Sequence, residues 1–381
     1  MKLTFEPLGR FIHEVDVRNT DLSVTNLMGV NLSKQLMPSV ANIVGTDLSA
    51  YKVVKKRQFA CKLMSVGRDA CLPIALKTDE NPIIISSAYY AFEVNDESEL
   101  IPEYLLMCFL RPDFDRELWF KTGGDVRGGV TWEEFCNIRI PYCNLEEQKK
   151  IVNVYLTVKQ RVEILKKEND VLFDCLIEIY KKHTENASSL TAVTLDDICN
   201  FQEGYVNPVQ TEPSYFDGDI NWLRAGDIQE SYIISTERTL TKKGFDSAGV
   251  AAKLFNPGTI MITKSGSYIG RLGILDIYAC GNRAVINIAP KKKEYFGYVY
   301  LYLKYRQNEI SQMAVGSVQL NLYVPILQKL IIDIPDEETL VSFNRITEPF
   351  FSMIKTNCRE IEKLDSIDKD FINTFATRSV V

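Results

Sequence analysis

Lysine and arginine are the residue types whose spacing stands out for chemistry. Residues 49–68 contain six of them and no acid, and residues 253–293 contain seven against Asp276 alone, so each window carries +6. Such clusters can contact phosphates, yet the net charge of −6 argues against a generic nucleic-acid binder. Two basic windows in an acidic chain therefore need an explanation. The basic windows are Lys52, Lys55, Lys56, Arg57, Lys62 and Arg68, and Lys253, Lys264, Arg271, Arg283, Lys291, Lys292 and Lys293.

The residues that usually carry catalysis are scarce or poorly placed. With only two histidines, the chain offers little for Ser-His-Asp triads or histidine-rich metal sites. The acidic pairs Asp196-Asp197 and Glu337-Glu338 are interpreted as helix-start or turn residues. Asp365, Asp368 and Lys369 could suggest a nuclease site, but they fall on a predicted helix and are interpreted as its solvated face.

Length and composition predict a folded protein of about two domains. The chain has 381 residues, of which 46% are hydrophobic and 25% charged. No apolar run approaches the roughly 20 residues of a membrane span, and no secretory signal is visible. The nine scattered cysteines form no CxxC pair, which is typical of reduced thiols. We therefore expect a cytoplasmic protein.

The two halves of the chain are weakly similar to each other. Ile138–Pro141 recurs 194 positions later as Ile332–Pro335. Five such pieces occur in the same order in both halves, and the two basic windows fall in corresponding parts. Because a chance match of five ordered pieces is improbable, we interpret the chain as an internal repeat.

Each half has the pattern of a mixed α+β globular domain. Short β-branched runs alternate with Gly, Pro and Asn turns, and one helical stretch interrupts each half, at 102–111 and 297–310. The sequence therefore predicts globular domains over residues 1–144 and 188–337.

Residues 145–187 predict a long helix, because they contain no Gly or Pro and their apolar residues recur at heptad spacing. At 1.5 Å per residue it would be roughly 60 Å long, and its apolar stripe needs a partner. Residues 338–381 carry a similar pattern. We predict an antiparallel two-helix coiled coil with one globular domain at each end. The predicted seam is Ile151, Tyr155, Val158, Val162, Leu165, Asn169, Leu172, Leu176, Ile346, Phe350, Met353, Asn357, Leu364 and Phe371.

Two of these seam residues, Asn169 and Asn357, are polar. A buried polar residue at a seam position often fixes the register of a coiled coil. The alternative is that either Asn lies at a frayed or solvated part of the seam, and the sequence leaves both interpretations open.

The boundary between the first domain and the long helix carries a family resemblance. Residues Ile140–Val152 read IPYCNLEEQKKIV. This resembles the Ile-Pro, Leu-x-x-Gln-x-x-Ile-Val boundary in the specificity (S) subunits of type I restriction-modification systems, with Cys143 where a second proline is usual. The counterpart Ile334–Leu340 lacks the usual Gln. Further segments similar to the family are Trp222–Ile228, Asn256–Ile262, Gly316–Leu322, Tyr51–Val54, Ser86–Tyr89 and Asp125–Arg127.

The resemblance covers nearly the whole chain and implies a DNA-recognition subunit. Residues 1–144 and 188–337 would be two target-recognition domains reading a bipartite double-stranded DNA target. The central helix 145–187 and the C-terminal helix 338–381 would dock two modification (methyltransferase) subunits, with restriction/translocase subunits joining the complex. The resemblance implies no catalysis and no cofactor in this chain; S-adenosylmethionine, ATP and Mg would belong to the partners, in a prokaryotic cytoplasm.

The resemblance also directs attention to residues that could contact DNA. Lys and Arg contact phosphates, whereas Arg on guanine and Asn or Gln on adenine read base edges. Each candidate has a plainer alternative, a solvated surface side chain or a structural turn. The DNA-binding candidates are Lys62, Ser65, Arg68, Arg127, Lys264, Ser265, Tyr268, Arg271, Gln319 and Asn321.

Two other classes of function stay open at this point. A two-domain coiled-coil scaffold would show no DNA affinity even with partners present. A stand-alone DNA-modifying enzyme would be active without partners, but the chain has no Asn/Asp-Pro-Pro-Tyr/Phe methylase motif. Residues 266–270 also lack the Lys-Ser/Thr of a phosphate-binding Walker A loop.

Overall fold

A computed structural model describes residues 3–39, 45–123, 128–186, 189–317 and 319–376. Among these residues, no helix combines the length and the apolarity that crossing a membrane requires. The description of residue 186 is limited to its backbone.

The chain divides into two compact units. Unit 1 comprises Met1–Gln160 and Asp365–Val381, and unit 2 comprises Arg161–Leu364. The division falls inside the two long helices, whereas the sequence analysis placed domain boundaries at the helix ends. The reason is that the terminal turns of each long helix pack into the hydrophobic core of a unit.

Unit 1 contains ten strands and the first five helices among its described residues. The strands are β1 (Thr4–Pro7), β2 (Ile12–Val15), β3 (Met28–Val30), β4 (Leu36–Pro38), β5 (Lys52–Val54), β6 (Phe59–Cys61), β7 (Ile74–Leu76), β8 (Ile83–Ile85), β9 (Tyr90–Val94) and β10 (Arg139–Tyr142). The helices are α1 (Val66–Asp69), α2 (Pro102–Leu110), α3 (Pro112–Lys121), α4 (Trp132–Cys136) and α5 (Leu145–Asn186), which continues into unit 2.

The described residues of unit 2 contain ten further strands and six helices. The strands are β11 (Leu190–Thr194), β12 (Cys199–Glu203), β13 (Phe216–Leu223), β14 (Tyr232–Ile233), β15 (Thr239–Leu240), β16 (Thr259–Thr263), β17 (Leu272–Leu275), β18 (Ala279–Gly281), β19 (Val285–Pro290) and β20 (Ile331–Pro335). The helices are α6 (Leu195–Ile198), α7 (Lys242–Asp246), α8 (Phe296–Tyr305), α9 (Gln307–Gln312), α10 (Val324–Gln328) and α11 (Glu337–Thr374), which continues into unit 1.

Unit 1 is built around a four-stranded antiparallel sheet with the order β2-β9-β6-β7. Phe59 and Phe92 on neighbouring strands stack with 4.8 Å between ring centres, and Phe109 of α2 meets Phe59 edge-on at 5.6 Å. Tyr155 of α5 and Phe375, just after α11, belong to the same buried core. Both long helices therefore contribute to the folding of unit 1.

Unit 2 repeats this arrangement and adds a second sheet. Its main sheet has the order β12-β19-β16-β17-β14, and the added sheet has the order β15-β13-β18. The first four strands of the main sheet follow the same pattern along the chain as β2-β9-β6-β7, and the pair β11-β20 corresponds to β1-β10. Helices α2 and α8 occupy the predicted helical stretches. The predicted internal repeat of two mixed α+β halves is confirmed.

Each long helix begins in the same way, just after a proline-containing strand. The Asn144 side chain accepts a hydrogen bond from the Glu147 N–H (3.0 Å), and the Asp336 side chain accepts one from the Thr339 N–H (2.9 Å). These side chains are N-caps, which satisfy amide groups left free in the first helical turn. The matching of the two helix starts explains why the boundary motif recurs in the sequence.

The long helices pack against each other within both units. In unit 2, Arg161 contacts Glu360 (2.7 Å), and in unit 1, Lys159 contacts Asp368 (2.7 Å). Because the partner number falls as the α5 number rises, the pairing is antiparallel. The eight predicted seam residues of α5 are all buried or half-buried.

The seam of α11 differs from the prediction by one residue over part of its length. Ile346 and Met353 are exposed (44% and 47%), whereas their neighbours Thr347 and Ile354 are buried. Thr347 tolerates burial because its hydroxyl donates to the Phe343 carbonyl (3.1 Å). Hydropathy ranked Ile346 above a threonine, so the sequence pattern selected the wrong face. The other three predicted residues of α11, Phe350, Asn357 and Leu364, and Phe371 near its end, are buried or half-buried.

The two seam asparagines are buried and bonded to each other. The Asn357 side-chain amide donates to Asn169 Oδ1 (2.9 Å), and Asn169 Nδ2 donates to Cys358 Sγ (3.6 Å). This geometry supports the register-fixing interpretation over the solvated one, because any other register would leave these polar groups without partners.

Candidate nucleic-acid interface

In unit 2, the loops that carry the DNA-binding candidates lie together at one edge of its two sheets. Glu203 at the end of β12 pairs with Ile286 of β19, Thr263 at the end of β16 pairs with Val285, and the parallel strands β13 and β18 end together at Leu223 and Gly281. The Val206 N–H, shortly after β12 of the main sheet, donates to the Gly281 carbonyl of β18 (3.0 Å), which joins the two sheets. We call this edge the unit-2 rim; it comprises residues 204–207, 224–228, 264–271, 282–284, 315–317 and 319–323.

Lys264 lies at the centre of the unit-2 rim, directly after β16. Its ammonium group contacts the Glu203 carboxylate (2.6 Å) and lies 5.3 Å from the centre of the Tyr323 ring. Both partners of the ion pair are largely buried. Lys264 is therefore held in one position by a charge and a ring, and its adjacent residue Ser265 is half-buried.

The β16–β17 hairpin projects Tyr268 and Arg271 from the rim. The Arg271 guanidinium stacks on the Tyr268 ring at 3.9 Å from its centre, and one of its N–H groups donates to the Ile228 carbonyl (3.4 Å). The turn requires glycine at Gly270, where φ is +80° and an added Cβ would lie 2.0 Å from Ser311 Oγ. Close packing thus anchors the base of the hairpin, while Tyr268 at its tip is exposed.

The loop that carries Gln319 and Asn321 lies beside this hairpin. Asn321 forms an antiparallel bridge with Ser265, and the Leu322 N–H donates to the Lys264 carbonyl (2.8 Å). The Asn321 side chain donates to the Gln319 carbonyl (2.9 Å), while the Gln319 side chain is exposed. All six sequence candidates of unit 2 therefore lie on the unit-2 rim.

Unit 1 has a corresponding edge, which we call the unit-1 rim (residues 62–73, 86–89 and 128–130). Lys62 directly follows β6, as Lys264 follows β16, and its ammonium group lies 5.5 Å from the centre of the Tyr89 ring. The Gly67 N–H donates to the Gly128 carbonyl (3.0 Å), which brings the end of the 123–129 loop to this rim. Arg127 itself lies outside the described residues.

Two unit-1 candidates are placed differently from the prediction. Ser65 is only 4% exposed, because it lies in the turn that leads into the buried start of α1. Its hydroxyl is therefore not on the surface. Arg68 is exposed, but it donates two hydrogen bonds of 2.7 Å to the Asp69 carboxylate. These bonds lower the pKa of Asp69, so the ion pair is complete at neutral pH.

The two basic windows differ in how much of their charge is free. In the first, Lys52, Lys56, Arg57 and Arg68 all form ion pairs with carboxylates, most of them from distant parts of the chain. In the second, Lys264 is the one residue paired in this way among the described residues. A charge count along the sequence missed this difference, because it could not include carboxylates that the fold brings in. The second window therefore keeps more of its positive charge unpaired.

Several rim groups were not identified from the sequence. The rings of Tyr89 and Tyr323 lie under the two lysines, and both occur in or next to the family-like segments, so a signal for them existed. Outside the rim as defined, Arg238 stacks on Phe216 at 3.8 Å and donates to the Gln210 side chain (2.9 Å). It lies outside the basic windows and carried no sequence signal.

The carboxylates considered for catalysis have structural roles, although the predicted solvent exposure of one of them was wrong. Asp197 forms a capping box with Thr194 at the start of α6, and Glu337 lies in the first turn of α11, as predicted. Asp368 was predicted to be solvated, but it is 9% exposed and paired with Lys159. The α11 face that carries it is turned inward by the packing on α5. Within the described ranges, no cluster of three His, Cys, Asp or Glu side chains could hold a metal ion.

Comparisons with known proteins agree with this architecture. Residues 188–366 match the family model of the type I restriction modification DNA specificity domain. The type I restriction enzyme MjaIX specificity subunit of Methanocaldococcus jannaschii is 22% identical over 316 residues, covering 76% of this chain and 71% of that protein. The crystal structure of a type I restriction-modification system S subunit from M. genitalium has a TM-score of 0.55 and 15% identity.

That structural match covers 98% of this chain and 96% of the S subunit, so the fold is shared over the full length of both. The family model covers the chain from just before β11 to the second half of α11, and the resemblance at Ile140–Val152 lies in the first unit. Residues 188–366 therefore match the type I restriction modification DNA specificity domain, and the chain as a whole is similar in sequence to a type I specificity subunit and shares the fold of a type I S subunit.

Proposed function

We propose that this chain is the DNA-reading subunit of a type I restriction-modification complex and that each unit reads one half of a bipartite target. The observation that carries the proposal is the repeated rim, in which a lysine directly after an inner strand of the main sheet lies over a tyrosine ring and next to a loop that contains glycine. Among the described residues Lys62 has no carboxylate partner, so its ammonium group suits a phosphate contact, and the neighbouring loops supply Arg, Asn and Gln for base edges.

The proposal assigns the docking of modification subunits to the outer faces of the long helices. Ile164 and Val171 of α5 are exposed and seven residues apart, and so are Ile346 and Met353 of α11. Apolar side chains at heptad spacing on a helix surface are typical of a face that a partner covers. Ile346 and Met353, which were predicted in the seam but are exposed, would thus contact a modification subunit.

In this proposal the chain is not catalytic by itself. Adenine methylation with S-adenosylmethionine belongs to the modification subunits, and ATP- and Mg-dependent translocation and cleavage belong to restriction subunits. The Tyr, Lys and Arg side chains of the two rims would bind and orient DNA.

The test is to co-express the chain with a modification subunit from the same genome and to map adenine methylation across the host chromosome by long-read sequencing. A single bipartite motif that depends on both proteins is the expected result. A stable complex without new methylation would favour the scaffold alternative. Methylation by this chain alone would favour the stand-alone enzyme.

A further inference from the structure

The arginines of the two rims differ in whether they form an ion pair with a carboxylate. Arg68 is held by Asp69, and Arg224 contacts both Glu237 (2.5 Å) and Asp227 (3.8 Å). Arg271 has no carboxylate within 4 Å among the described residues. Since breaking an existing charge-assisted pair costs free energy before a new contact forms, Arg271 is better placed than these two to bind an incoming acceptor.

Glu230, a carboxylate whose pKa the charge of Arg271 helps to lower, is already engaged by other groups. Glu230 accepts hydrogen bonds from Lys304 (2.6 Å) and from the Gln307 side chain (2.8 Å). Burial would raise the pKa of Glu230, but these bonds and the nearby positive charges outweigh it and lower the pKa. The Glu230 charge is therefore balanced by α8 and α9, and Arg271 keeps its own donors for another acceptor.

Arg271 is also fixed in orientation, which a base reader needs. Stacking on Tyr268 at 3.9 Å defines the plane of the guanidinium, and the Ile228 carbonyl accepts one of its five N–H groups. The Ile228 side chain is fully buried, so that carbonyl is itself held in place. An arginine restrained in this way loses little side-chain entropy when it forms two parallel hydrogen bonds.

The loop between β16 and β17 (residues 264–271) is the part of this hairpin that leaves the sheet, because both strands are buried within it. A guanidinium presented by this loop matches the O6 and N7 atoms that guanine exposes as an acceptor pair in the major groove. The exposed tip, with Gly266 at φ +91°, offers a narrow end without bulky side chains before Tyr268. Lys264, beside it, is held by Glu203 and Tyr323 at the base.

We infer that Arg271, at the base of the β16–β17 loop and stacked on the exposed Tyr268, reads a guanine in the half-site bound by unit 2. The inference rests on the proposed function and adds one residue and one base to it. It distinguishes Arg271 from a phosphate contact, because a lysine can replace arginine at a phosphate but lacks the planar fork of donors that matches guanine O6 and N7.

The experiment uses the full chain reconstituted with its modification subunit and compares methylation rates on the mapped target and on targets with single base-pair changes. R271A and R271K should both lose about 10- to 100-fold of the preference for a G·C pair at one position, and at no other. Y268F should keep that preference and Y268L should weaken it, because only the former retains the ring. K242A, which removes an exposed charge on α7, is the matched control.

Three results would overturn the inference while leaving the proposed function intact. The first is a wild-type bipartite motif in which the preference for a G·C pair is unchanged at every position when Arg271 is replaced. The second is an equal loss of rate on every substrate, and the third is full rescue by R271K, both of which indicate a phosphate contact. If R271A or R271K lost the complex in gel filtration, that variant would be misfolded. The comparison of Y268F with Y268L would then test the inference in its place. Absence of any wild-type motif would refute the proposed function itself.

Discussion

Gln148 is a single buried side chain that ties three backbone segments of unit 1 together. Its carbonyl accepts the Ile101 N–H (2.9 Å), and its amide donates to the carbonyls of Glu99 and Cys143 (2.8 Å each). The start of α5 is thereby fixed to the start of α2. In the second half, Leu340 occupies the corresponding place in the first turn of α11 and is buried without such bonds, which explains why the boundary motif is incomplete there.

Replacing Gln148 by alanine should destabilise the chain by about 2–3 kcal/mol, because buried backbone groups would lose their partners. Urea denaturation followed by circular dichroism measures the change. Q160A, an exposed glutamine on the same helix, should change stability by less than about 0.5 kcal/mol. Equal stability of Q148A and the wild type would show that these hydrogen bonds do not hold the boundary.

The cysteines give a second residue-scale prediction. All nine are free, and burial raises the pKa of Cys199 and Cys280 to about 12. At pH 8 these groups are therefore thiols and react slowly, whereas Cys175 on α5 is exposed. Titration with a thiol reagent should show a single fast-reacting group that C175S removes. A fast phase that persists in C175S would show that the buried thiols are accessible.

At the level of elements, the two long helices show which part of a heptad pattern can be read from sequence. In α5 the apolar series is unambiguous, and the predicted residues are buried. In α11, apolar residues often occur side by side, as in Phe350-Phe351 and Met353-Ile354, so two faces fit the pattern equally well. Packing decided between them by burying Thr347 instead of Ile346.

The Asn169–Asn357 pair makes a prediction about these helices. N357L alone should destabilise unit 2 by about 1–3 kcal/mol, because Asn169 would lose its hydrogen bond in an apolar seam. The double variant N169L/N357L should recover most of this loss, since both polar groups are gone. The measurement is thermal unfolding of the three proteins. A double variant no more stable than the single one would argue against a coupled pair.

The outer face of α11 makes a separate prediction about docking. M353E should leave the fold intact, because Met353 is exposed, but should reduce co-purification with the modification subunit at least tenfold. S366E, which adds the same charge on another exposed face, is the control. If M353E binds its partner as the wild type does, this stripe is not the docking face.

At the level of the whole molecule, the sequence predicted the order of helices and strands, but not which lysines and arginines lack a carboxylate partner. The repeat, the two helical stretches and the long helices all follow from local patterns that recur, such as Ile138–Pro141 and Ile332–Pro335. The unpaired charge of the basic windows depends on contacts between distant residues, such as Lys52 with Glu14 or Lys264 with Glu203. No local pattern encodes such pairs, so the basic windows overstated the charge available in unit 1.

The central claim is that each unit reads its own half of the target, and a domain exchange tests it most directly. Residues 189–335, from the end of α5 to the end of β20, would be replaced by the corresponding segment of a family member with a known target. The chimera is then mapped for methylation beside both parents. The account predicts a bipartite motif in which one half-site is kept and the other becomes that of the donor. A motif that changes in both halves, or in neither, would contradict it.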